Sequence, residues 1–324
     1  MLAGIDIGGT KCAVTIGNIK DEAVEIINKI KFKTSEYSNP YDVLERLADE
    51  LEKMQCEGIE AIGISCGGPL DSKNGVIMSP PNLPGWDNIR VKDFFEERFK
   101  AKIFLQNDAD ACAVAEWKFG AAKGLGNVVF LTFGTGLGAG LILNGRLYSG
   151  TNSMAGEVGH IRLSEFGAVG YGKSGSAEGF CSGGGIAQIG RSKALELLQI
   201  GKDCLFCRSY DELDKITAET IARAANSGDL CALEVYRISS IKLGELLSIL
   251  IDLLNPQMIV IGSVYTRSSH LMQAEMNKVI ESETLAVPRK NCIISKAALG
   301  DSIGDYAAIS AAYYGLSSKQ YDYK

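Results

Sequence analysis

Long uninterrupted apolar runs are absent from the 324-residue sequence, and with them any candidate for a membrane span of about 20 residues. The most apolar stretch, Ile238 to Leu254, is broken by Lys242, Glu245 and Asp252 and reads as a buried helix. Basic clusters are absent too. Lysine and arginine total 33 against 39 acidic residues, and the formal net charge is −6. No block of about five or six cations offers a track for a phosphate backbone, so nucleic acid is not an expected partner. The opening Met1-Leu-Ala-Gly-Ile-Asp6 has neither the basic region nor the long apolar core of a secretory signal, and a cytoplasmic protein is expected. Nine cysteines, an odd number, lie scattered without the paired spacing of a disulfide framework, which suits reduced thiols. The one CxxC pair, Cys204-Leu-Phe-Cys207, has no second pair at zinc-like spacing and reads as buried small apolar side chains.

What is present is ample core material: 46% of the residues are hydrophobic, enough for two compact lobes. Residues 2–7, 11–17 and 26–34 alternate or run apolar around Gly8-Gly9 and the polar Asn18 to Glu22 stretch, which predicts an antiparallel meander. Val43, Leu44, Leu47, Leu51 and Met54 recur at helical spacing after Pro40. Strands are predicted at 59–65, 102–105, 127–133, 137–143, 258–261 and 291–295. Helices are predicted at 91–99, 111–119, 184–198, 217–226, 230–254, 267–280 and 303–314. Both halves open with an apolar strand, a Gly/Thr turn and a returning strand, Asp6-Ile-Gly-Gly-Thr10 in one and Thr132-Phe-Gly-Thr-Gly136 in the other, which suggests an internal duplication.

The first turn gathers backbone N–H groups, a hydroxyl and the Lys11 cation behind the aspartate that the strand delivers. Gly8 and Gly9 allow close approach of a phosphate, and Asp6 is placed to hold Mg²⁺ directly or through water. An ordinary hairpin accounts for the glycines but calls for neither Asp6 nor Thr10-Lys11. Thr132-Phe-Gly134-Thr135-Gly136 is a second such concavity, and the two together imply a bound nucleotide. Gly134 to Ala139 also fits a dinucleotide fingerprint with Glu157 downstream, but a returning strand, not a helix, follows it. Gly167-Ala-Val-Gly-Tyr-Gly172-Lys173-Ser174 fits the P-loop pattern, yet the residues before it are charged and those after it are glycine-rich, so a flexible loop is expected instead. Asn107-Asp108 follows a strand and opens a helix, where one residue caps the helix and a carboxylate is left for general-base work. Glu157-Val-Gly-His160 holds one of only two histidines and could offer hydrogen bonds to vicinal hydroxyls, against the default of a structural histidine.

Asp6-Ile-Gly-Gly-Thr-Lys11, Gly67-Gly68-Pro69, Asn107-Asp108-Ala109, Thr132-Phe-Gly-Thr-Gly136, Glu157-Val-Gly-His160 and Glu178 fall in the order and spacing of the ROK family of sugar kinases and repressors. The chain resembles that family over nearly its whole length. The resemblance implies a two-lobed α/β fold of the actin and hexokinase (ribonuclease H-like) type, with duplicated domains and an interdomain cleft. The first lobe would be residues 1–107, joined by a C-terminal helix at about 303–324, and the second 108–302. It implies ATP and Mg²⁺, with Asp6, Gly8, Gly9, Thr10, Lys11, Thr132, Gly134, Thr135, Gly136, Gly262 and Ser263 at the nucleotide. Asp108 corresponds to the catalytic base, and Gly68, Asn82, Asn107, Asp108, Glu157, His160 and Glu178 resemble the ligands of a hexose-like sugar. Homodimers or homotetramers are the assemblies that relatives suggest.

Two departures stand out. Relatives follow the histidine with a cysteine cluster that binds structural zinc; here Val169, Tyr171 and Ser176 occupy the thiol positions, so no structural zinc is expected. Ser263 stands where relatives usually carry a second glycine, which reads as a small change. Family repressors carry a helix-turn-helix ahead of the first motif, whereas five residues precede Asp6, which favours a kinase. A catalytically silent sugar sensor, and a kinase acting on fructose, an N-acetylhexosamine or an inositol derivative, are the alternatives to a glucokinase-like enzyme.

Overall fold

A computed structural model of the protein describes residues 1–54 and 58–318. β1 (Leu2–Ile7), β2 (Lys11–Lys20) and β3 (Ala23–Lys33) form the expected antiparallel meander. At the β2–β3 turn Asp21 and Glu22 have φ of 50° and 59°, the left-handed pair that a two-residue hairpin requires. The strands therefore run further into the polar Asn18 to Glu22 stretch than its composition predicts. α1 (Pro40–Lys53) begins where Asn39 accepts a hydrogen bond from the Tyr41 N–H and Pro40 takes the first turn. Next come β4 (Ala61–Cys66), the two-residue strands β5 (Leu70–Asp71), β6 (Val76–Ile77) and β7 (Ile89–Arg90), then α2 (Val91–Arg98), β8 (Lys102–Asn107) and α3 (Asp108–Phe119). The strands β5 to β7 form a small separate sheet too short to show a sequence period.

The main sheet of this region has the order β3-β2-β1-β4-β8. β1, β4 and β8 run parallel, and Ile7 lies level with Cys66 and Cys66 with Asn107, so three strand ends open side by side. Alternation decides the two faces. Ala3, Ile5 and Ile7 are buried in one core with Val43, Leu44, Leu47 and Leu51 of α1 and Phe95 of α2. On the other face a Cβ at Gly4 would lie 2.8 Å from Ala308 Cβ, and one at Gly63 would lie 2.1 Å from the Ala308 carbonyl oxygen. Those two glycines let the C-terminal helix lie directly on the sheet.

The chain then forms β9 (Val128–Phe133), β10 (Leu137–Leu143), β11 (Arg146–Leu147), β12 (Val169–Gly170), β13 (Lys173–Ser174), α4 (Ala177–Phe180), α5 (Gly183–Gln199), α6 (Ala218–Asn226), α7 (Leu230–Leu254), β14 (Met258–Ile261), α8 (Val264–Glu283), α9 (Ala286–Asn291), β15 (Ile293–Lys296) and α10 (Ile303–Ser317). A second five-stranded sheet has the order β11-β10-β9-β14-β15. Asp229 caps α7 by accepting from the Ala232 N–H, and Asn255 ends it in the left-handed conformation at φ 45°. A Cβ at Gly244 would meet Val279 Cβ at 2.7 Å, so α7 and α8 approach closely there. Cys204 and Cys207 are buried, and their backbone N–H groups and carbonyls pair with each other at 3.1 Å. No helix among the described residues is long and apolar enough to cross a membrane.

Two compact units emerge. One comprises Met1–Phe130, Gly140–Gly156 and Ala298 to the end of the described chain; the other comprises Leu131–Ala139 and Glu157–Ala297. The sequence places a boundary at 107/108, but here α3 stays with the first unit. The buried Glu116 carboxylate ties it there, accepting hydrogen bonds from the N–H groups of Ala121, Ala298 and Leu299. α8 starts at Val264, three residues before the expected 267, and Asn291 ends a short helix where a strand start is expected. The part of the expected 303–324 helix beyond Ser318 lies outside the described residues.

Candidate functional site

In the first unit, the candidate residues collect at the level ends of β1, β4 and β8. Asp6 is the last polar residue of β1 and half-buried. The turn after it closes with Gly8 N–H donating to the Lys11 carbonyl at 3.1 Å, while Thr34 Oγ1 donates to the Gly8 carbonyl at 2.6 Å. Gly9, Thr10 and Lys11 are exposed. A Cβ on Gly9 would stand 2.3 Å from the Asn82 carbonyl oxygen and 3.0 Å from Asn82 Cβ, so Asn82 lies against this turn and glycine is obligatory there.

Asn107 is the helix cap: its Oδ1 accepts from the N–H groups of Ala109 at 2.9 Å and Asp110 at 3.4 Å. Its Nδ2 lies 3.2 Å from the Cβ position of Gly68, which brings those two residues together. Asp108 uses Oδ1 to accept from the Ala109 N–H at 2.8 Å, and its Oδ2 is 3.9 Å from the Cβ position of Gly67. Capping by Asn107 therefore leaves an Asp108 carboxylate oxygen beside the glycine pair.

The electrostatics around these residues are crowded with negative charge. Burial first, then the charges of Asp108 and Asp305, raise the Asp6 carboxyl to about 7, against a smaller opposing pull from Lys31 and Lys29. Asp108 is also raised, chiefly by the protein packed around it, while N–H groups of Ala109 and Asp108 itself oppose the shift. Its side chain nevertheless reaches solvent, which tempers that shift. Asp305 on α10 is buried and bridges to Lys29 and, at 3.9 Å, to Lys31 on β3. Sequence reasoning missed this trio. The available signal was a lone charge in the otherwise uncharged Ile303–Ser317 helix; the lysines carry none, because alternating lysines on β3 read as a solvated strand face.

In the second unit, Gly134 N–H donates to the Gly136 carbonyl at 3.1 Å, and Gly138 N–H donates to Thr132 Oγ1 at 2.9 Å. Thr132 thus braces its own turn. Thr135 adjoins the start of α5: a Cβ on Gly184 would lie 3.3 Å from its carbonyl oxygen, and Gly183 N–H donates to the Gly134 carbonyl at 2.8 Å. Ser182 caps α5 by accepting from Gly185 N–H. This glycine-rich helix start is a second feature that sequence reasoning left out of the site, although Ser182-Gly-Gly-Gly185 offers a cap and close backbone approach. Gly262 N–H donates to the Leu131 carbonyl at 3.0 Å. Ser263 follows with φ 52° and ψ −114°, a conformation that an L side chain resists, and its Oγ is 3.6 Å from the Cβ position of Gly134. Replacing the usual glycine is therefore not the small change that the sequence suggests.

Glu157 and His160 are exposed at the ends of a short 3₁₀ turn, Val158–His160. The His160 ring stands edge-on to Tyr171 with centroids 6.2 Å apart, and Lys173 Nζ donates to the His160 carbonyl at 2.6 Å. The 167–174 segment is the β12–β13 hairpin, with Tyr171 at φ 46° and Gly172 at φ 73° in its turn, so Lys173 stands in a strand and does not open a helix as a P-loop requires. Gln188 fastens this hairpin through both the N–H and the carbonyl of Val169. Glu178 Oε2 accepts from the Leu137 N–H at 3.0 Å, which joins it to the second glycine turn.

The chain matches the ROK family over residues 2–312. It is 30% identical over 309 residues to the glucokinase of Halalkalibacterium halodurans, covering 93% of this chain and 91% of that protein. It is 28% identical over 314 residues to the DNA-binding transcriptional dual regulator NagC of Escherichia coli, covering 95% of this chain and 75% of the regulator. The structure of a ROK family glucokinase from Streptomyces griseus in complex with glucose and AMPPNP superposes with a TM-score of 0.77 at 28% identity, covering 97% of this chain and 99% of that one. The mixed α/β fold is that of the ROK hexokinase-type structures. With the family matched over residues 2–312, a span that includes both glycine turns, the chain belongs to the ROK family.

Proposed function

We propose that the protein is an ATP-dependent kinase that phosphorylates a hydroxyl of a hexose-like sugar, with Asp108 as general base. The observation that carries this reading is the Asp108 carboxylate: one oxygen is anchored to the start of α3, and the other is left beside Gly67-Gly68. A carboxyl raised above its usual range is a better proton acceptor in its ionised form. In the transfer, the sugar oxygen bonds to the γ-phosphorus, its proton passes to Asp108, and the bond to the bridging oxygen breaks so that ADP leaves. Asn82, Asn107, Glu157, His160, Glu178 and the Gly68 backbone hold the sugar. Gly8 to Lys11, Thr132 to Gly136 and Gly262-Ser263 hold the nucleotide.

The donor set fits Mg²⁺. Asp6 is forced towards its neutral form by burial and by Asp108 and Asp305, and a divalent cation relieves that repulsion. Mg²⁺ commonly takes one or two protein carboxylates and completes its shell with water and phosphate oxygens, so Asp6 suffices as its principal protein ligand. The ion supplies charge neutralisation at the phosphates. Lys11 adds a cation, and the backbone N–H groups of the turns add dipoles.

Asp108→Asn is expected to fold and bind sugar but to lose about 10²- to 10⁴-fold in turnover. Near-normal turnover in that variant removes the assignment. A second reading, a sugar-sensing regulator without catalysis, is favoured by the similarity to NagC. ADP release in the presence of a sugar separates the two.

A further inference from the structure

Glu178 lies where the second glycine turn meets the histidine segment. Its Oε2 accepts from the N–H of Leu137, the residue immediately after Gly136, at 3.0 Å. Three glycines surround the side chain. A Cβ on Gly136 would lie 2.6 Å from Oε2, one on Gly170 would lie 2.7 Å from Glu178 Cβ, and one on Gly159 would lie 3.3 Å from Glu178 Cβ and 2.2 Å from the Leu137 carbonyl oxygen. Gly159 stands between Val158 and His160, so the backbone of the histidine segment rests on Leu137 itself. Ser176 fixes the Glu178 backbone from below, accepting from the Gly179 N–H at 3.2 Å. Among the described residues Oε1 accepts no hydrogen bond. The carboxylate is thus divided: one oxygen is committed to the turn, and the other is available for a hydroxyl.

We propose that Glu178 is a positioning residue that couples the two ligands: a polyol hydroxyl on Oε1 locks the carboxylate whose Oε2 holds the Gly136–Leu137 peptide ready for a polyphosphate. This rests on the kinase reading above. A free carboxylate rotates, and the turn it braces shares that freedom. A sugar that fixes the rotamer pays the ordering cost once, so the nucleotide then binds a turn already set. Coupling of this kind is reciprocal, and the nucleotide tightens the sugar by the same factor. A purely structural Glu178 would stabilise the unit without making either ligand's affinity depend on the other.

The test is calorimetric titration of the full chain with AMPPNP and Mg²⁺, with and without the hexose that supports ADP release, together with steady-state kinetics. In the wild type the hexose is expected to tighten AMPPNP by about fivefold or more. Glu178→Ala should weaken AMPPNP about tenfold even without sugar and abolish the coupling. Glu178→Gln keeps an oxygen for the Leu137 N–H, so it should restore AMPPNP binding to within about twofold while sugar binding stays weak. Gly136→Ala touches no sugar, yet its methyl group displaces the carboxylate, and it should raise the sugar KM about tenfold. If Glu178→Ala fails to melt cooperatively, Gly136→Ala decides alone. An active wild type with no coupling, an Ala variant that alters sugar affinity only, or a Gly136→Ala variant with normal sugar KM overturns the coupling and leaves the kinase reading standing. Failure of every sugar to elicit ADP release is the separate result that removes the kinase reading.

Discussion

Asp6 is held against its own chemistry, since burial and the charges of Asp108 and Asp305 raise its carboxyl to about 7, well above the ordinary carboxylate range. The sign follows directly. A carboxyl raised on folding costs nothing below its unfolded value, and the penalty grows as pH rises between the two values and is complete above about 7. At about 1.4 kcal/mol per unit the cost reaches an upper bound of ~4 kcal/mol. Asp6→Asn should therefore have a higher urea midpoint than the wild type at pH 8 and the same midpoint near pH 4; an equal gap at both contradicts the account. Mg²⁺ should raise the wild-type melting temperature at pH 8 and leave that of the variant unmoved. Ser263 makes a second prediction at this scale. Its φ of 52° suits glycine, so Ser263→Gly should stabilise the protein by about 1 kcal/mol in denaturant unfolding, and a loss of stability would show that the serine is not strained. Asp6, Asn107 and Asp108 were legible in the sequence because each ends an apolar strand before a turn or a helix. The sign of φ at Ser263 and the approach of Asp305 were not, since one depends on backbone path and the other on a partner, Lys29, 276 residues away.

The elements that carry these residues owe their level ends to close packing beneath them. α10 lies on β1 and β4 because Gly4 and Gly63 leave no side chain between sheet and helix. A Cβ on Gly63 would meet a carbonyl oxygen at 2.1 Å, with backbone on both sides unable to yield. Gly63→Ala should cost about 1–3 kcal/mol in urea unfolding, whereas Leu47→Ala in the opposite core, leaving a cavity, should cost about 2–5 kcal/mol. A silent Gly63→Ala would mean that α10 does not press on the sheet as described. Periodicity revealed the long elements: α1 from its buried stripe, β1 to β3 from alternation, α7 from its apolar length. It could not reveal β5, β6, β7 or the β12–β13 hairpin, whose two-residue strands hold no period, nor the extra turn at the start of α8, where Ser263 turns the chain.

For the molecule as a whole, the family fold was legible from motif order, because the motifs at Asp6, Gly67, Asn107 and Thr132 sit at strand ends and the strands set their spacing. The unit boundaries were not, since Glu116 joins α3 to a segment about 180 residues further along the chain. The proposed chemistry at this scale rests on Asp108. Its raised carboxyl predicts that kcat/KM falls on the acid side at a pH above the ordinary aspartate value of about 3.9, and a profile flat down to that value would contradict an elevated base. The most direct measurement is ADP release from ATP and Mg²⁺ across glucose, mannose, fructose, N-acetylhexosamines and inositols, with wild type and Asp108→Asn in parallel. The account predicts release by the wild type with at least one of these polyols, and a rate lower by about 10²- to 10⁴-fold in a variant that still binds that polyol. Release with none of them, or equal rates in the two proteins, would contradict it.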